Sequence, residues 1–205
     1  MTPHRLRAVD GLNLPEEYRV LLRPGEAESD FHGRIHHLPR FFYEIHSWQE
    51  AHDIRLAPHF TLAELMLVDC REGRPLLSQF PHYVPCAIGL LAMVLENFRR
   101  EVDAPVFISA NGGYRSPAHQ IGGGKSIHCW GTAANIYRIG DTFLSDAKSI
   151  EKYGTIAASL GPVVFFRRFG FRHGETDDHL HIDLGFATLT PFGSSEDQLI
   201  SNCPI

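Results

Sequence analysis

Between Val84 and Glu101 the apolar residues Ile88, Leu91, Val94, Leu95 and Phe98 recur three or four positions apart, and Arg99 and Arg100 close the run. That spacing lines them up on one stripe of a helix, and the two cations suit the negative end of its dipole. The pattern predicts an amphipathic core helix over 84–101. Just upstream, HFTLAELM (His59–Met66) opens like a helix: Thr61 can cap the first turn, and Glu64 stands three positions on, as in a capping box. Downstream, APVFISA (104–110) reads as a short buried strand and GTAANIY (131–137) as a second. FLSDAKSIEKYGTIAASL (143–160) reads as a helix despite Gly154, and PVVFFRRF and HLHIDLGF as two further strands, the latter clearly alternating. This order of elements predicts an α+β fold, with helices packed on a small, mainly antiparallel sheet.

Residues 1–55 read differently. They carry Pro/Gly punctuation (LRPGEAESDFHG) and then an aromatic stretch, LPRFFYEIHSW, suited to packing on a core. The expected division is an N-terminal extension over 1–55 and a main domain over 56–205. A length of 205 residues gives that domain room for one sizeable core. A net charge of −5 with no Lys/Arg run gives no footprint for nucleic acid. No apolar segment is long enough to span a bilayer, and the N-terminus lacks the apolar stretch of a signal peptide. The expectation is a cytoplasmic protein that neither inserts in a membrane nor binds nucleic acid. Cys70, Cys86, Cys129 and Cys203 form no C-x-x-C pair and read as reduced thiols, with a Cys70–Cys86 disulfide as the alternative.

Thirteen histidines make the chain histidine-rich, but most have no ligand spacing on a predictable element. His32, His36, His37, His46, His52 and His59 read as surface or half-buried side chains. The glycines of IGGGKS (121–126) do not make a phosphate loop, because the first glycine of that pattern would have to stand where His119 is. They read instead as a lip over a site.

The chemistry gathers in three segments: NGGYRSPAHQ (111–120), SIHCWGTAAN (126–135) and DHLHIDLG (178–185). In this order they resemble the zinc D-alanyl-D-alanine peptidase family, whose fold is shared with the Hedgehog signalling domain. Gly113, Tyr114, Arg115 and Ser116 match its G-Y-R-S loop; Ser126, His128, Gly131 and Ala133 match S-x-H-x-x-G-x-A-x-D; Asp178 and His181 match its last acid-x-x-His pair. HFTLAEL is similar to an opening segment of that family, and the resemblance covers residue 56 onward. It departs at one place: Asn135 occupies the aspartate position.

The resemblance implies a Hedgehog/DD-peptidase-like fold, a zinc ion (Zn2+) on His128, Asn135 and His181, and Asp178 as the catalytic base. It implies that Arg115 is a catalytic and substrate-binding residue, gripping the substrate's terminal carboxylate or steadying charge on the scissile carbonyl oxygen, with Tyr114 and Ser126 beside it on the substrate. It also implies that the substrate is a short peptide or D-alanine-containing peptidoglycan fragment. The plain alternative for Arg115 is a structural ion pair. The donor chemistry is coherent: hydrolytic zinc takes three protein ligands and leaves a position open for water. An amide in place of a carboxylate gives up the charge, so weaker metal binding is expected, and a catalytically inactive peptide- or glycan-peptide-binding module is the rival reading. On a regular strand His179, His181 and Asp183 share a face and Asp178 points away. Asp178 therefore reaches the site only if the strand begins or bulges there; otherwise His179 is the rival ligand and Asp183 a partner that orients an imidazole.

Overall fold

The computed structural model describes residues 6–171 and 176–191. Over the first part of the chain it forms β1 (Arg7–Asp10), α1 (Glu16–Leu22), β2 (Ala27–Ser29), β3 (Ile35–His37), β4 (Phe41–Glu44), α2 (Trp48–Asp53) and β5 (Arg55–Ala57). Next come β6 (Phe60–Thr61), α3 (Leu62–Met66), α4 (Pro75–Gln79) and β7 (Tyr83–Pro85). The extension and the main domain share structure: β4 lies between β1 and β7 in one antiparallel sheet, and β5 pairs with β6. From the aromatic stretch, Phe41 and Phe42 are buried, and Ile45, Ala51 and Ile54 belong to the main hydrophobic core.

Helix α3 starts as its sequence predicts. The Thr61 hydroxyl accepts from the Glu64 N–H while the Glu64 carboxylate accepts from the Thr61 N–H, a complete capping box. The main core helix, α5 (Ile88–Val102), begins four residues later than the apolar spacing predicts, because Val84 and Pro85 are taken up by β7. Its stripe of Ile88, Leu91, Leu95 and Phe98 is fully buried.

After α5 come β8 (Val106–Ile108), β9 (Ala133–Ile139), β10 (Thr142–Phe143), α6 (Ala147–Ser159), β11 (Phe165–Phe166) and β12 (Leu180–Asp183). They build a five-stranded antiparallel sheet around β9, with β8 along one edge of it and β10 and β12 along the other, and β11 outside β12. Ala134 and Ile136 of β9 and Leu180 and Ile182 of β12 are wholly buried in the core with residues of α5 and α6. Gly154 is what lets α6 come this close, since a Cβ there would collide with the Phe166 ring. By the two-residue period of a strand, the alternate residues Ala133, Asn135, His181 and Asp183 stand on the opposite face, away from the helices.

The fold is thus α+β with small antiparallel sheets. Cys70, Cys86 and Cys129 are free, and Cys203 lies outside the described residues. Among the described residues no helix is long and apolar enough to cross a membrane.

Candidate metal centre

Strands β9 and β12 pair with His181 directly opposite Asn135 and Asp183 opposite Ala133. The pairing brings His181 Nδ1 to 2.9 Å from Asn135 Oδ1, and puts His181 Nε2 3.0 Å from Asp183 Oδ2. A carboxylate only accepts, so the Nε2 proton belongs to this bond and Nδ1 turns a lone pair toward Asn135. Burial pushes the His181 pKa down to about 4, against the opposing pull of Asp183, so the ring is neutral near pH 7. Burial works against ionising Asp183 too, but the hydrogen bond from His181 and one from the Gly185 N–H keep its carboxyl below the usual range.

His128 meets this pair from a different element. It sits in a short 3-10 helix, Ile127–Trp130, which ends on Gly131 in the left-handed region, with φ of 70°. Its Nδ1 lies 2.7 Å from the Gly113 carbonyl oxygen, which can only accept, so the proton is on Nδ1 and the Nε2 lone pair is free for a ligand. Burial, then the charge of Arg115 and the neighbouring His181, hold its pKa well below the ordinary imidazole value. The two imidazoles are each 1% exposed, with ring centroids 5.1 Å apart.

The Asn111–Tyr114 loop fixes this geometry from behind. Asn135 N–H donates to Gly112 O, Ser109 N–H donates to Asn135 O, and Tyr114 N–H donates to Leu65 O in α3. Glycine is required at 113 because a Cβ there would run into the Leu65 backbone. The G-Y-R-S loop is therefore a backbone brace that presents one carbonyl to His128.

The donor set fits a zinc-type ion. Two neutral imidazoles are each locked from behind by an acceptor, as metal-ligating histidines commonly are, and an amide oxygen completes a third corner. His181 Nδ1 and Asn135 Oδ1, both acceptors, face each other at 2.9 Å. That contact is repulsive unless a cation draws both, or unless the amide turns end for end so that its NH2 donates to the ring.

Above these residues opens a cleft of about 400 Å³ lined by His128, Asn135 and His181 together with Arg115, Ser126, Asp178 and His179. Arg115 is buried on the wall, and its Nη2 donates to Ser126 Oγ at 3.3 Å. Strand β12 begins only at Leu180, which leaves Asp178 in the preceding turn and free to reach the cleft; its side chain is 86% exposed. The Asp178 carboxylate accepts from His179 Nδ1, so this ring nitrogen is engaged away from the His128–His181 pair. Part of the turn-rich stretch before it, 172–175, lies outside the described residues.

Tyr114 does not stand where a substrate contact needs it. It is 2% exposed, packs in the main core, and its hydroxyl has no hydrogen-bond partner among the described residues. The physical reason is the turn at Gly113: once the backbone has docked on Leu65, the next side chain points inward while Arg115 points to the cleft. The lip at 121–126 is held by the extension, for Gly124 packs against Arg23 and Glu28, which are themselves ion-paired.

Three cleft-lining residues have no signal in the sequence: Phe31, Arg71 and Arg167. Arg167 N–H donates to His181 O at 3.1 Å, and its charge helps to lower the pKa of both cleft histidines. Phe31 comes from the tip of the β2–β3 hairpin, so the extension supplies part of the cleft wall. No protein family, curated protein or solved structure matches the chain.

Proposed function

We propose that the chain is a zinc-dependent peptidase-like protein that hydrolyses a short peptide, by resemblance a D-alanine-containing peptidoglycan fragment. The observation that carries this reading is the pair of fixed lone pairs: His128 Nε2 and His181 Nδ1, each held by an acceptor behind it, gathered with Asn135 beneath a cleft that also holds Arg115 and Asp178.

Zinc on His128, Asn135 and His181 would polarise the scissile carbonyl and ease deprotonation of water. The chain's own groups do the rest. Arg115, steadied by Ser126, offers a permanently charged fork to the terminal carboxylate of a peptide. Asp178 takes the proton of the attacking water and returns it to the leaving amine; its exposed place in the turn before β12 leaves its side chain room to move. Asp183 and the Gly113 carbonyl keep both imidazoles in one tautomer. The test is release of D-alanine from an N-acylated tripeptide ending in D-alanyl-D-alanine, with zinc and with chelator. Zinc-dependent release abolished by His181→Gln supports the reading, and release indifferent to both sinks it.

A second reading rests on Asn135. An amide can donate to His181 Nδ1, which an aspartate cannot, and so can close the site without metal. The cleft then binds a peptide on Arg115 and does not cut it. Peptide affinity that persists in chelator with no turnover separates this reading from the first.

A further inference from the structure

The junction between the extension and β7 holds a separate group of ligand-type side chains. β4 and β7 pair with Glu44 opposite Tyr83, and Ile45 N–H donates to His82 O at 2.8 Å on the next rung. Beyond that rung, Glu44, His46 and His82 come together, with one ligand atom from each within 4.8 Å of the others. Their backbones are held: Glu44 and His82 by the ladder, and His46 by donating its N–H to Glu50 Oε2 at the start of α2.

The geometry is close to what an ion needs. Two donors on one tetrahedral zinc lie roughly 3.3–3.6 Å apart. His82 Nε2 is 3.6 Å from Glu44 Oε1 already. The His46 ring stands 5.5 Å from the His82 ring, is exposed, and can swing in without disturbing a packed neighbour. Glu44 keeps its other oxygen, Oε2, on Arg7 at 2.8 Å, a surface pair worth little by itself, while the Tyr83 hydroxyl donates to Oε1, which has a second lone pair to offer an ion. The two contacts fix the orientation of the carboxylate. Two imidazoles with one carboxylate favour zinc and ions like it over calcium or magnesium, which prefer all-oxygen shells.

We propose that Glu44, His46 and His82 form a second divalent-metal site, for zinc or a similar ion, that clips the N-terminal extension to β7. The site uses none of the cleft residues. Because the extension carries Phe31 into the cleft wall, an ion here steadies the cleft without taking part in its chemistry.

The test is equilibrium dialysis of the full chain against zinc, followed by metal content per chain, together with melting temperature with and without zinc. His46→Gln is the key variant, since an exposed side chain is lost without a cavity. The expected result is that His46→Gln lowers bound zinc by one equivalent in the otherwise unaltered chain. On top of His128→Gln/His181→Gln, where the cleft donors are gone, it is expected to remove the last equivalent and with it the zinc-dependent rise in melting temperature that remains. Unchanged zinc content in His46→Gln, or loss of all zinc in the cleft variant alone, overturns the proposal. Failure at the junction and failure in the cleft therefore read out separately.

Discussion

His181 and Asn135 are direct cross-strand neighbours, and the pairing of β9 with β12 sets their side chains 2.9 Å apart on the face away from the helices. This one register makes the candidate centre, because it places an imidazole lone pair beside an amide where the motif it resembles has a carboxylate. Asn135→Asp should therefore raise zinc affinity at the cleft by about tenfold or more, since it adds a charge and removes the option of donating to the ring. Zinc titration calorimetry of the two proteins checks this, with His46→Gln in both to silence the junction. Equal affinity would mean that residue 135 is not a ligand.

Asp183 acts through His181. Asp183→Ala removes the acceptor that fixes the tautomer, and it leaves the buried His181 Nε2–H without a partner. The expected loss is about 1–3 kcal/mol of stability and about ten- to a hundredfold in cleft zinc affinity. Urea unfolding and zinc titration read the two effects, and an unchanged zinc affinity would refute the orienting role.

Acid should destabilise the metal-free protein early. Burial holds His119, His128 and His181 below the ordinary value of 6.5, with His119 and His181 down to about 4. Between pH 6.5 and 4 the unfolded chain takes up protons that the folded one refuses, so stability is full above this window and falls as pH drops through it. Each such histidine contributes a slope of up to about 1.4 kcal/mol per pH unit. Urea midpoints measured from pH 7 to pH 4 test the slope. His119→Gln, which removes one of the three groups, should flatten it, and a slope unchanged in that variant would count against the assignment.

Two glycines give opposite forecasts. Gly113→Ala drives a methyl into the Leu65 backbone and should cost about 3 kcal/mol, disturbing the carbonyl that holds His128. Gly89→Ala sits in α5 with nothing within 4 Å of the new methyl and should stabilise by about 0.5–1 kcal/mol. Melting curves of the pair decide whether the brace at 113 is as tight as its contacts indicate.

Phe31→Ala and Arg167→Ala alter the cleft wall without removing a candidate ligand. Each should weaken binding of an N-acylated D-alanyl-D-alanine peptide several-fold, about 1 kcal/mol, with little change in melting temperature for the exposed Phe31. Calorimetric peptide binding in chelator measures it. Full affinity in both variants would place the peptide elsewhere.

Local chemistry was the legible part of this sequence. The capping box at Thr61 and Glu64, the buried stripe of α5, and the strand–helix order from Val106 onward follow from spacing, and the structure has them, except that the two-residue β10 takes Phe143 from the predicted helix and α6 starts at Ala147, capped by Asp146. The start of α5 did not, because Val84–Pro85 is drawn into a sheet whose other strands lie some forty residues upstream or more. Tyr114 misled for a similar reason: its motif position suggests the cleft, but docking of Gly113 on Leu65 turns it inward. The imidazole partners were partly legible, since Asp183 shares a face with His181 at two-residue spacing. Phe31, Arg71, Arg167 and the meeting of His46 with His82 depend on tertiary approach, for which one sequence carries no periodic signal.

The most direct test of the central claim is zinc per chain in His46→Gln protein, purified without chelator and equilibrated with limiting zinc, with and without His128→Gln/His181→Gln. The account predicts close to one zinc per chain in the first and none in the second. No zinc in the first, or the same amount in both, would contradict a metal centre at His128, Asn135 and His181.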